Sequence, residues 1–122
     1  MKLSTLRLFA TLPIALTIAG ASAAWAHSFP EHESPAAGET IGAPPAEVTI
    51  KYDAPIEKLF DSLRVLDASG QDKATGAPQV SDDGYELSVP VKLSPGEYTV
   101  QWRVVCIDTH HTEGSYTFTV TQ

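Results

Sequence analysis

Four histidines follow the first 26 residues, and they fall in two groups: His27 and His32 near the start, His110 and His111 close to the end. In Asp108-Thr109-His110 a carboxylate and an imidazole are separated by one residue. On an extended backbone both side chains point to the same side and can converge on one ion, while His111 points the other way and reads as exposed. His27 directly follows Ala24-Trp25-Ala26, so cleavage after Ala26 frees its α-amine. That amine and the imidazole Nδ1 then close a chelate ring on one metal. With His110 and Asp108 the donors are three nitrogens and one oxygen. Copper(II) favours such nitrogen-rich tetragonal sets and heads the divalent affinity order. Zinc could use the same atoms but prefers a tetrahedron. The other short N-terminal copper motif needs histidine third from the amine, where this chain has Phe29.

The chelate depends on how the chain begins. Lys2 and Arg7 precede the apolar run from Leu8 to Ala19, and small residues follow from Gly20 to Ala26. A bilayer span needs about 20 apolar residues, whereas a basic start, a short apolar run and a small-residue exit describe a cleaved secretory signal. Two exit sites compete, Ala21-Ser22-Ala23 and Ala24-Trp25-Ala26, and only the second yields His27 as the first residue. Residues 1–26 therefore read as a secretory signal and 27–122 as one exported domain, too short to be two. Losing Lys2 and Arg7 deepens the net charge from −7 to −9. So acidic a surface disfavours nucleic acid and anionic lipid and attracts cations. With Cys106 alone, no internal disulfide can form.

The elements that must position these residues are strands. Pro30, Pro35, Gly38, Pro44 and Pro45 make the stretch from Phe29 an extended leader. Period-two alternation then marks Val48–Tyr52, Leu63–Leu66, Tyr85–Val89, Tyr98–Val104 and Tyr116–Val120. Turn residues at Ala68-Ser69-Gly70, Asp82-Asp83-Gly84 and Ser94-Pro95-Gly96 separate them. The expectation is an all-β, Greek-key β-sandwich or barrel, cupredoxin-like or immunoglobulin-like, of about seven strands if the leader and Lys73–Val80 add edge pieces. Tyr98, Val100, Trp102 and Val104 should face the core. The same alternation turns Cys106 inward and leaves Asp108 and His110 where the strand runs out.

The start at His27 with Ser34-Pro35-Ala36-Ala37-Gly38, the strand Val48–Tyr52, the run Ser94-Pro95-Gly96-Glu97-Tyr98-Thr99-Val100-Gln101-Trp102-Arg103-Val104-Val105, and Asp108-Thr109-His110 ending at Gly114 resemble the CopC family of periplasmic copper-resistance proteins. The resemblance covers nearly the whole domain. It implies a cupredoxin-like sandwich and a copper(II) site formed by His27, Asp108 and His110. The family pattern is Ser-x-Asp-Gly-His, and here Cys106 stands for the serine and Thr109 for the glycine. Some relatives also carry a methionine-rich copper(I) site; the only methionine here is Met1, which leaves with the signal. Without thioethers the expectation is a copper(II)-only protein.

The expected role is thus a periplasmic carrier, buffer or chaperone for copper(II) in copper resistance, with an inner-membrane copper transporter as the candidate partner, and not an enzyme. The alternatives are a copper-dependent oxidative enzyme built on the terminal-histidine chelate and a metal-free interaction module. His32 reads as an exposed spectator. Glu113 reads as an acceptor near the site or an ordinary surface acid, and Cys106 as a buried thiol rather than a thiolate ligand.

Overall fold

The computed structural model describes residues 27–122; the expected secretory signal, residues 1–26, lies outside them. Among the described residues no helix is long and apolar enough to cross a membrane.

Among the described residues, eight strands form two four-stranded sheets: β1 (Pro30–Ser34), β2 (Thr40–Ile41), β3 (Glu47–Tyr52), β4 (Ser62–Leu66), β5 (Gln79–Val80), β6 (Glu86–Pro90), β7 (Gly96–Val105) and β8 (His111–Val120). One sheet runs β1-β3-β6-β5 and the other β2-β8-β7-β4. The expected all-β sandwich is what forms. The five alternating segments became β3, β4, β6, β7 and β8, and the leader and the Lys73–Val80 stretch supply the short edge strands β1, β2 and β5.

Alternation decides the two faces. Val48, Ile50 and Tyr52 of β3 and Leu87 and Val89 of β6 are buried against Leu63 and Val65 of β4, Tyr98, Val100, Trp102 and Val104 of β7, and Phe118 and Val120 of β8. Stacked sheets need such interdigitating inner faces. Trp102 and Tyr98 are core aromatics, as the β7 phase predicts: Trp102 meets Tyr52 edge-on at 5.6 Å between ring centroids, and Tyr98 stacks on Phe118. Trp102 also fills the space beside its β8 partner Gly114. A Cβ there would lie 2.7 Å from the indole Cζ2, so only glycine admits the ring.

Three segments meet at one end of the sandwich. The β7–β8 connection, residues 106–110, bridges the loop after β3 through the Ile56–Cys106 pair. That loop is tied again where the Glu57 amide donates to the Val105 carbonyl (2.8 Å) and the Val105 amide donates to Asp61 Oδ1 (2.9 Å). The start of the domain joins them. Phe29 and Asp53 bond reciprocally, the Phe29 amide to Asp53 Oδ1 and the Asp53 amide to the Phe29 carbonyl.

Candidate metal centre

His27, Asp108 and His110 lie at this end. His27 is held by its neighbour. The buried Ser28 donates through its amide to Cys106 Sγ (3.3 Å) and through its hydroxyl to the Pro55 carbonyl (3.1 Å), and its carbonyl accepts from Thr112 Oγ1 (2.6 Å). Every polar group of Ser28 is thus partnered. Buried polar groups demand such satisfaction, and here it pins the first residues of the domain across 78 to 84 positions of sequence.

The second group sits in a tight turn, not on the extended backbone that the alternation suggested. Beyond Val105 the chain doubles back, with the Thr109 amide donating to the Cys106 carbonyl (2.9 Å) and the Cys106 amide to the His110 carbonyl (2.7 Å). Closing so short a loop needs a left-handed residue, and Thr109 takes that role at φ +75°. The pattern this chain resembles has glycine at that position, and here a threonine takes the positive φ. The turn brings Asp108 and His110 together through a different geometry from the expected one. His110 donates its amide to Asp108 Oδ1 (3.1 Å), and its Nδ1 lies 3.0 Å from Asp108 Oδ2.

That contact shapes the electrostatics. The hydrogen bond from the His110 ring, followed by weaker effects including the His110 amide and the charge of His27, holds the Asp108 carboxyl below its ordinary value. Asp108 is therefore a firm anion, as a cation site needs. A carboxylate on one ring nitrogen also fixes the imidazole tautomer and leaves the other nitrogen for a metal.

Among the described residues, the ligating atoms of His27, Cys106 and Asp108 all lie within 4.8 Å of one another. His110 stands beside this set, its ring centroid 5.2 Å from that of His27. Cys106 is fully buried, as its inward phase predicts, and its sulfur also forms the floor of the cluster. Strand parity gives the burial of Cys106 but not its meeting with Asp108, which the turn after Val105 brings about. The remaining candidates lie elsewhere. His32 is exposed on β1 opposite Lys51, and His111 opens β8 as an exposed residue. Glu113 is exposed on β8 opposite Arg103, lining an open cleft of about 420 Å³ with Arg64 and Gln101.

The donors fit a metal of borderline to soft character: imidazoles, an ionised carboxylate and a thiol around one point at the surface. The same segments expose Phe29, Leu59, Phe60 and Ile107 to solvent.

Residues 31–121 match the CopC domain. The chain belongs to the CopC family. It is 35% identical over 99 residues to Protein YobA of Escherichia coli, covering 79% of this chain and 80% of that protein. Copper resistance protein C of Xanthomonas campestris pv. juglandis is 36% identical over 118 residues, 88% of this chain and 89% of that one. The crystal structure of CopC from Methylosinus trichosporium OB3b superposes with a TM-score of 0.72 at 32% identity, over 78% of this chain and 94% of that structure.

Proposed function

We propose that this CopC domain is a periplasmic carrier or buffer for copper(II), exported by cleavage after Ala26, that takes part in copper resistance and passes its ion to an inner-membrane copper transporter. The ion is held by the α-amine and imidazole of His27 together with Asp108 and His110. The observation that carries this reading is the meeting of His27 with the Asp108–His110 pair at one end of the sandwich. The acidic surface favours cation capture, and the copper named for the Xanthomonas relative agrees with the donor chemistry. The exposed apolar residues on the same segments suit a transient protein contact. No catalytic step belongs to this role.

Mass spectrometry of the exported protein should find His27 as its first residue. Titration of the matured protein with copper(II) should give one ion with a nitrogen-ligated electron paramagnetic resonance spectrum, weaker as pH falls because the amine and imidazoles must lose protons to bind. At free copper 100 times the Kd, linkage adds about 2.7 kcal/mol to the folded state. Affinity that is unchanged both in His27→Ala and in a protein with one extra residue before His27 rejects the reading.

A further inference from the structure

We propose that Cys106 is a copper ligand, and that its thiolate lets this same centre hold copper(I) as well as copper(II). The inference rests on the copper reading of the site and goes beyond it, because the expected ligands are nitrogen and oxygen alone.

Position comes first. The Cys106 sulfur lies within 4.8 Å of the ligating atoms of both His27 and Asp108. A thiolate sits about 2.3 Å and an imidazole nitrogen about 2.0 Å from a bound ion of this size, so two such donors can stand at most about 4.3 Å apart across it. Closing the set around one ion takes roughly half an ångström of side-chain movement on the same scale. The approach is open from above, since His27 is exposed while Cys106 forms the floor.

The sulfur is also held in place. The Ser28 amide points its hydrogen at Cys106 Sγ. Ser28 is itself locked by Pro55 and Thr112, so this donor keeps its place whether or not a metal is bound.

The donor chemistry then selects the ion. Thiolate and imidazole are ligands for copper(I), whereas amine and carboxylate serve copper(II). Cys106 and Met1 are the only sulfur-bearing residues of the chain, and Met1 precedes the proposed cleavage point, so Cys106 alone can supply a soft donor. Copper(I) would settle on the Cys106 sulfur and the His27 imidazole, and copper(II) on the nitrogen and oxygen donors above them. Each ion binds in the oxidation state in which it arrives. No electron is transferred, and the thiol proton passes to water when copper(I) binds.

The experiment is an anaerobic titration of the matured protein with copper(I) against a competing copper(I) chelator, run on wild type, Cys106→Ser and Cys106→Ala, with copper X-ray absorption on the wild type. Wild type should show a copper–sulfur distance of about 2.3 Å. Both variants should lose more copper(I) affinity than the roughly 10–100-fold typical of removing a group that merely supports a ligand, while the copper(II) affinity of Cys106→Ser, whose hydroxyl can still accept from the Ser28 amide, changes less than tenfold. Equal copper(I) affinity in all three proteins overturns the proposal, and so does the absence of sulfur from the wild-type absorption data, a measurement that needs no variant to fold. Nitrogen-ligated copper(II) in all three would then leave the carrier reading standing. Sulfur-bound copper(I) without any nitrogen-bound copper(II) would do the reverse, upholding the thiolate and rejecting the cupric site.

Discussion

Thr109 is a β-branched residue at φ +75° in the turn that carries Asp108 and His110, and replacing it with glycine tests how that turn is held. For an L-residue the left-handed region costs roughly 1–2 kcal/mol, and branching at Cβ makes threonine a poor occupant. Glycine removes that cost but gives back about 0.5–1 kcal/mol through the greater freedom of the unfolded chain. The difference predicts that Thr109→Gly stabilises the metal-free protein by about 0.5–1 kcal/mol, or roughly 2–8 °C in Tm for a domain of this size. Thr109→Ala should fall between, since it loses the branch but keeps a Cβ. The turn's own bonds are backbone or belong to Asp108 and His110, so the substitution leaves them in place. Copper(II) affinity should rise by no more than about fivefold, because pre-organisation can return only the strain released. Urea unfolding of the three metal-free proteins checks the order. A Thr109→Gly protein less stable than wild type would refute the reasoning, since the threonine side chain would then be contributing something that outweighs its backbone strain.

Thr112→Val keeps the shape of the side chain but leaves the Ser28 carbonyl without its donor. Chemical denaturation should show a loss of about 1–3 kcal/mol, and copper titration a weaker site as His27 loosens. Gly114→Ala forces a methyl against the Trp102 indole; overpacking of this kind costs about 1–3 kcal/mol, read as a lower Tm. Burial raises the Asp61 carboxyl above its ordinary value, outweighing the lowering effect of the Val105 amide, and its Oδ2 is buried without a partner. A raised carboxyl favours the folded state while protonated, so this contribution is full below the ordinary value of 3.8 and lost as pH rises through the folded one. Asp61→Asn, whose amide oxygen can still accept from Val105, should abolish that decline in stability curves taken from pH 3 upward.

Alternation along the chain was enough to locate β3, β4, β6, β7 and β8 because each has one face in the core and one in water. The faces of β7, from Tyr98 to Val104, follow from parity alone, and parity also buried Cys106. The short edge strands carry no such mark. β2 and β5 have two residues each, and β2 pairs parallel with β8, an arrangement fixed by how the chain returns rather than by local pattern. The turn after β7 is hidden from local pattern for a related reason. Its left-handed residue is a threonine, and a residue type that avoids positive φ gives no local warning of it.

The site divides along the same line. Asp108 and His110 are two positions apart, so any regular or turning backbone between them leaves few ways for them to miss each other. His27 is different, since nothing near it in sequence says where it goes. Its position is set by Ser28, whose three polar groups find partners at Pro55, Cys106 and Thr112, residues that fall together only once both sheets have formed. The segment that brings His27 to the Asp108–His110 pair is also the one that lays an N–H against the Cys106 sulfur. Where the family pattern has serine, the same bond would hold a hydroxyl beneath the ion; with cysteine it holds a soft donor instead. The exchange of serine for cysteine thus adds a soft donor beside His27 and Asp108 while leaving the bonds of Ser28 to Pro55 and Thr112 untouched.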